Sequence, residues 1–295
     1  MIEQARTALL VAAEVAGLDP GAAELIRHGQ NTLFRLPGAI VARVARPGQQ
    51  GTAAKETRVS QWLAAEGVPV VRVVEDLEQP VAVNGRAVTF WHELPPHRPG
   101  SALDVAGMLR RLHTLIPPPE LDLPRLEPLT QLADRIDAAA TVTATDRAWL
   151  HERLAALRER YAALPEGMAW CAVHGDAWGS NIAITAAGPV VLDLERFAVG
   201  PPEWDLTAVA VDHFTFGSVT TDDWDDFCRA YGCDVTTWDG YPVLRDIREL
   251  RKLTFATQMA IEYPDRPRIA EQVQIRLACL RGEEGPRPWR WAGVP

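Results

Sequence analysis

Several things are scarce in this sequence, and each scarcity closes off a class of function. There are four cysteines, Cys171, Cys228, Cys233 and Cys279, with no CxxC pair and no histidine at zinc-finger spacing. That excludes a zinc ribbon or finger and reads as four reduced thiols in a cytoplasmic protein. No run approaches the ~20 apolar residues that cross a bilayer. The start, Met1-Ile2-Glu3-Gln4-Ala5-Arg6, has no basic segment leading into an apolar one, so neither a membrane span nor a secretory signal is expected. Basic excess is missing too: 30 Lys+Arg face 39 Asp+Glu, a formal net charge of -9. The longest basic cluster, Arg245 to Lys252, is interleaved with Asp246 and Glu249. A nucleic-acid partner bound by neutralising phosphates is excluded by that balance. Internal repeats and low-complexity segments are absent as well.

What is present is a soluble globular composition, 47% hydrophobic and 23% charged over 295 residues, enough for about two lobes. Glu3 to Gly17 reads as a helix. Phe34-Arg35-Leu36 and Ala39 to Ala45 read as strands joined at Pro37-Gly38. Lys55 to Glu66 has a helical apolar face of Val59, Trp62 and Leu63, with Gly67 as its stop. Val70 to Val74 and Val81 to Trp91 read as further strands, the second broken by the turn Asn84-Gly85. Together these predict a small antiparallel sheet carrying one main helix. Leu94-Pro95-Pro96-His97-Arg98-Pro99-Gly100 is the clearest linker. It divides residues 1–94 from a larger, mostly helical part, 95–295, with helices expected over Ser101–Leu115, Leu129–Ala140 and Asp146–Leu164.

The chemistry concentrates in His174-Gly175-Asp176-Ala177-Trp178-Gly179-Ser180-Asn181 and in Val190-Val191-Leu192-Asp193-Leu194-Glu195. Ile182-Ala183-Ile184 and Val190-Val191-Leu192 read as a hairpin. With its turn centred near Ala187, Asn181 and Asp193 face each other at the open end, to within a residue of register, beside the loop carrying Asp176. A hard cation such as Mg2+ takes oxygen ligands and keeps room for phosphate oxygens. Asn181 and Asp193 suit it, leaving Asp176 to accept a proton from an attacking hydroxyl. That is the division of labour of kinase-type phosphoryl transfer.

On His174-Gly-Asp176-x4-Asn181, Val191-Leu192-Asp193-Leu194-Glu195 and Gly200-Pro201-Pro202-x-x-Asp205-Leu206, the sequence resembles the aminoglycoside phosphotransferase and choline-kinase-like family. The resemblance extends more loosely to Gly29-Gln30-Asn31 and to Leu109-Arg-Arg-Leu112-His113. It implies an α+β, two-lobed protein-kinase-like fold: a nucleotide-binding lobe (1–94) and a catalytic and acceptor-binding lobe (95–295). The implied activity is an ATP-dependent (or GTP-dependent) small-molecule kinase with Mg2+, whose partners are a nucleotide and a small acceptor. Asp176 is then the catalytic base, and Asn181 and Asp193 the metal ligands. Arg43 reaches the nucleotide phosphates, Glu56 pairs with Arg43, Asn31 belongs to the phosphate-covering loop, and Glu93 and Leu94 lie against the adenine. Asp205 braces the catalytic loop. Arg43 stands where the family usually has Lys, which keeps the charge and changes the donor geometry. Gly29 to Thr32 is not a Gly-rich loop of protein-kinase type.

The acceptor is open at this level. Residues 193–239 hold eleven acids against Arg196 and Arg229, which accounts for the whole net charge of -9. An acidic cleft would attract a cationic acceptor such as an aminoglycoside. Thr221 to Phe227 also reads as an N-capped helix whose acids favour the positive end of its dipole. An amino alcohol, a homoserine-like compound or a sugar remain alternative acceptors, and a catalytically silent ligand-binding module is the alternative outside enzymes.

Overall fold

The computed structural model describes residues 2–294. Helix α1 (Ile2–Val15) precedes strands β1 (Glu24–His28), β2 (Thr32–Leu36) and β3 (Ile40–Val44). Helix α2 (Gln50–Ala65) follows, and then strands β4 (Val81–Val83) and β5 (Arg86–His92). The five strands form one antiparallel sheet in the order β1-β2-β3-β5-β4. Period-two alternation on β2, β3 and β5 sends Phe34, Leu36, Ala42, Val44, Val88 and Phe90 to one face. There they meet Ala5, Ala8, Leu9, Ala12 and Ala13 of α1, an i, i+3, i+4, i+7, i+8 stripe. Arg43 points to the opposite face, where α2 lies. Asn84 and Gly85 both have positive φ (49° and 75°), as a two-residue hairpin between right-twisted strands requires.

The expected strand Val70–Val74 is not a strand, and the hydrogen bonds show why. Val71 N–H donates to Val191 O and Val191 N–H to Pro69 O, while Val74 N–H donates to Phe90 O and His92 N–H to Arg72 O. The segment is extended but divides its partners between two sheets, stitching β5 to the hairpin beyond the linker. Strand β1 carries no apolar alternation, since all five residues are exposed, and it escaped the sequence reading.

The second part begins with β6 (Arg98–Pro99) and α3 (Ala102–Leu112). A capping box opens α3: Asp104 N–H donates to Ser101 Oγ (3.2 Å) and Ser101 N–H to Asp104 Oδ2 (2.8 Å). Ser101→Ala is expected to lower stability by about 1 kcal/mol, a fall of roughly 2–4 °C in melting temperature; an unchanged melting curve would show that this cap contributes nothing. Helices α4 (Leu132–Ala138) and α5 (Ala144–Ala162) follow, then β7 (Cys171–Val173), the hairpin β8 (Ile182–Thr185) and β9 (Gly188–Val191), and β10 (Ala198–Gly200), which pairs with β7. Helices α6 (Glu203–Val211), α7 (Thr221–Tyr231), α8 (Tyr241–Glu262) and α9 (Pro267–Arg281) complete the chain. Val59, Trp62 and Leu63 of α2 share a core with Val105, Leu109 and Leu112 of α3, so the two parts pack directly on each other. A second core joins α4, α5, α8 and α9. No helix among the described residues is long and apolar enough to cross a membrane.

Candidate active site

The loop after β7 is held from below by buried groups. Asp205, fully buried on α6, accepts hydrogen bonds from the backbone N–H of His174 (2.7 Å, Oδ2) and Gly175 (2.9 Å, Oδ1), and His113 Nε2 lies 3.2 Å from Oδ2. Trp204 Nε1 donates to Gly175 O (2.8 Å). His174 Nε2 donates to Leu192 O (2.8 Å) and its Nδ1 accepts from Asp176 N–H (3.3 Å), which is the neutral Nε2–H tautomer. Only glycine fits position 175: φ is +84°, and a Cβ would lie 2.4 Å from Arg196 O. The loop is thereby aimed by polar contacts to two separate segments, α6 and Leu192.

Asn181 closes the loop. Its Nδ2 donates to Asp176 O (2.9 Å), leaving Oδ1 without a hydrogen-bond partner among the described residues. The hairpin turns on Ala186 and Ala187, with Thr185 opposite Gly188 and Ile182 opposite Val191. Asn181 therefore stands opposite Leu192, whose N–H donates to Asn181 O (2.9 Å). Asp193 is one residue further on than the centred turn predicts. It adopts φ 54°, is exposed, and has no ion pair among the described residues. The donor set is one amide oxygen and one free carboxylate. No group of three or more His, Cys, Asp or Glu that could hold a metal occurs among the described residues. Two protein oxygens with the remaining positions open fit Mg2+, which retains phosphate oxygens and water.

On the sheet side, Arg43 of β3 donates to Glu56 Oε1 of α2 (2.6 Å) and to Glu195 Oε2 (3.5 Å). Asn31, with its amide oxygen turned inward, accepts from Arg43 Nε (3.0 Å) and Nη2 (2.7 Å). Burial opposes the charge on Arg43, but Glu56, Asp193 and Glu195 keep its pKa above the ordinary arginine value. Burial, with Glu195 and Asp193 nearby, pushes Glu56 up to about 7 despite Arg43. Lys55 Nζ donates to Glu195 O (2.7 Å) and Phe197 O (3.0 Å), tying α2 to the segment after Asp193. Glu93 is engaged elsewhere: Arg35 holds its carboxylate (2.7 Å) and its N–H donates to Ala39 O. The carbonyl of Glu93 and the N–H of Leu94 have no hydrogen-bond partner among the described residues, a free acceptor and donor pair of the kind a purine edge uses.

A cavity of about 560 Å³ lies between sheet, α2, α4 and the end of α8. Asn31, Arg43 and Glu56 line it together, with Glu195 and Arg196; Asp176, Asn181, Asp193, Glu93 and Leu94 are not on its wall. Arg46 closes one side by pairing with Glu262 (3.1 Å).

Residues 24–247 match the family model described as the phosphotransferase enzyme family. The chain belongs to that family. It is a phosphotransferase. Nothing among curated proteins matches it. Among solved structures, an amicoumacin kinase in complex with AMP-PNP and Ca2+ is similar with a TM-score of 0.68 at 13% identity, over 92% of this chain and 95% of the other. A choline/ethanolamine kinase family protein from Mesorhizobium loti gives 0.63 at 18%, over 95% and 94%. An aminoglycoside-3'-phosphotransferase of type VIII gives 0.60 at 21%, over 83% and 98%. These likenesses establish the kinase-like fold.

In this phosphotransferase the surroundings of Asp176 are cationic. Burial alone would raise its pKa, but Lys252, Arg196 and Arg248 hold the carboxyl below the ordinary aspartate value. Lys252 Nζ stands 5.8 Å from the Trp178 ring and 5.9 Å from that of Phe216. Lys55 and Lys252 are the only lysines in the sequence, and both lie here. The acids of 193–239 do not gather into one cleft. Glu203 and Asp205 are buried acceptors for backbone N–H groups. Asp222, Asp223, Asp225 and Asp226 lie on the exposed face of α7, and Asp234 accepts from Thr236 N–H. Of the eleven, only Asp212 joins Asp193 and Glu195 at the site; burial pushes its pKa up against the opposing pull of Lys252 and Arg248. Sequence reading missed Lys55, Arg135 and Lys252 as site residues, and counted Arg196 only as a charge. Arg196 had a usable signal, three residues after Asp193; the others had none.

Proposed function

We propose that residues 1–94 bind the nucleotide and residues 95–295 bind the acceptor and carry the catalytic loop, and that the γ-phosphoryl group of ATP or GTP passes to a hydroxyl of a small molecule. The observation that carries this reading is the joining of Asn181 to Asp176 by a hydrogen bond from its side-chain Nδ2 to the Asp176 carbonyl, with Asp193 at the end of the same hairpin and Arg43 held by Glu56 on the sheet side. Asp176 takes the acceptor's proton as the acceptor oxygen bonds to the γ-phosphorus. The bond from that phosphorus to the β–γ bridging oxygen breaks, and the nucleoside diphosphate leaves with the electron pair. Arg43 holds phosphate oxygens, with Asn31 and Glu56 fixing its guanidinium. The backbone of Glu93 and Leu94 meets the adenine. Mg2+, held through Asn181 and Asp193, would neutralise charge on the phosphate oxygens.

The acceptor reading shifts with the acids. The charge excess suggested a cationic acceptor such as an aminoglycoside, but most of those acids serve backbone N–H groups or face solvent on α7. That favours the alternative, a metabolite kinase acting on a smaller hydroxyl compound. The nucleotide site is tested by thermal-shift titration with Mg2+ and ATP or GTP. Wild type is expected to be stabilised and Asp193→Ala to lose most of that response; an equal response in both removes Asp193 from the metal site. A silent binding module would show nucleotide stabilisation with no acceptor-dependent ADP release.

A further inference from the structure

The cavity carries cations that the protein itself does not neutralise. Its wall holds four guanidinium groups, and two are matched: Arg43 by Glu56 and Glu195, Arg46 by Glu262. Arg135 of α4 and Arg196, just past Asp193, form no ion pair and donate no side-chain hydrogen bond among the described residues. The only other carboxylate on the wall is Asp134, exposed and adjacent to Arg135 in the chain, yet not paired with it. Arg135 is partly buried, and burial together with the charge of Arg196 lowers its pKa. Behind them Arg251, which donates to Pro128 O (2.7 Å), is pushed down to about 9 by burial and by Arg196, Arg248 and Arg135.

Like charges brought together and partly desolvated cost free energy unless an anion arrives to share them. Planar guanidinium forks are matched to oxyanions, carboxylate or phosphate, through paired N–H donors. The two groups come from different elements, and their positions divide the work. Arg196 lies on the cavity wall and also acts on the charge of Asp176. Arg135 lies on α4, on the wall opposite the sheet, with Gln131 and Gln258 lining the same cavity. An acceptor rich in amines would set its charges against both guanidinium groups.

We propose that the acceptor carries an oxyanion group, a carboxylate or a phosphate ester, that docks on Arg135 while its hydroxyl faces Asp176. This rests on the phosphotransferase reading above, and two measurements separate the failure of one from the failure of the other. The first is binding, with the nucleotide site filled by Mg2+ and AMP-PNP so that a small anion cannot enter there. Citrate is then titrated against chloride of matched ionic strength. Wild type is expected to gain melting temperature, and Arg135→Gln to lose that gain while keeping its AMP-PNP response. An equal citrate response in both proteins overturns the proposal, as does a loss confined to the AMP-PNP response, which would assign Arg135 to the nucleotide. Should Arg135→Gln not fold, Arg135→Lys keeps the charge and loses the fork, and a weakened citrate response is expected.

The second measurement is ADP release with gluconate, sorbitol and glucamine, which share a polyol chain and differ at C1 as carboxylate, hydroxymethyl and ammonium-methyl. Release with gluconate is expected to exceed that with the other two by tenfold or more in wild type, the preference vanishing in Arg135→Gln. Equal or better turnover of sorbitol or glucamine overturns the proposal. A citrate shift that depends on Arg135, with no release from any acceptor, supports the anion site and counts against phosphoryl transfer.

Discussion

Asp176→Asn is expected to lower kcat by about 10²–10⁴-fold while leaving Mg2+–nucleotide stabilisation in place. The side chain accepts no hydrogen bond among the described residues, and the loop takes its shape from Asp205, Trp204, His174 and Asn181. An isosteric amide therefore keeps the geometry and removes only the proton acceptor. The electrostatics make a second part of the prediction. Burial would raise the Asp176 pKa, but Lys252, Arg196 and Arg248 hold it below the ordinary aspartate value. A depressed folded pKa means that the ionised carboxyl stabilises the native state above the unfolded pKa, and that this contribution is lost as pH falls through the folded value. At neutral pH Asp176→Asn is thus expected to melt lower than wild type. Its rate is also expected to lack the acid limb that protonation of Asp176 gives the wild type, since an amide does not titrate. Acceptor-dependent ADP release and melting curves of both proteins, measured from acid to neutral pH, check the two parts. A kcat within threefold of wild type would remove Asp176 from the role of base.

The grouping of these candidate residues was readable because they lie close together in the chain. Asp176, Asn181 and Asp193 fall within one loop and one hairpin, so period-two pairing alone brings them close; a turn at Ala186–Ala187 instead of one centred on Ala187 moved the register by one residue and left the grouping intact. The Arg43–Glu56 pair joins a strand to the next helix, again a short separation in sequence. What was not readable depends on contacts across long separations. Arg135 of α4 and Arg196 line one cavity, and Lys252 of α8 comes within 5.8 Å of the Trp178 ring, although each pair is far apart in the chain. Composition misled for the same reason. Eleven acids concentrated in 193–239 look like one surface in the sequence, yet α6 buries two of them and α7 turns four toward solvent. Val70–Val74 has strand composition, and its divided hydrogen bonding depends on two partners, Trp91 and Val191, that lie in different sheets.

Asp205→Ala is expected to be the most destabilising of the single changes considered, by about 3–5 kcal/mol. The carboxylate is fully buried and accepts from two backbone N–H groups, with His113 Nε2 3.2 Å from Oδ2. Alanine leaves the N–H groups of His174 and Gly175 without acceptors in a fully buried site. Asp205→Asn separates charge from hydrogen bonding. Its oxygen can keep the Oδ2 contacts to His174 N–H and His113, but its NH2 then confronts the N–H of Gly175. A loss of about 1–3 kcal/mol is expected, the cost of one unsatisfied buried donor. Burial raises the Asp205 pKa, yet the hydrogen bond from His113 and the charge of Arg248 leave it depressed. The stabilisation is therefore present above the unfolded pKa and fades as pH falls through the folded value. Wild type and Asp205→Asn should accordingly converge in stability toward acid pH, whereas Asp205→Ala should stay less stable throughout because its donors remain orphaned. Urea denaturation of all three across pH measures this, and hydrogen exchange of the His174 and Gly175 amides reports the loop directly. If Asp205→Ala exchanges those amides no faster than wild type, the catalytic loop is held by something other than Asp205, and Trp204 Nε1 on Gly175 O becomes the contact to remove next.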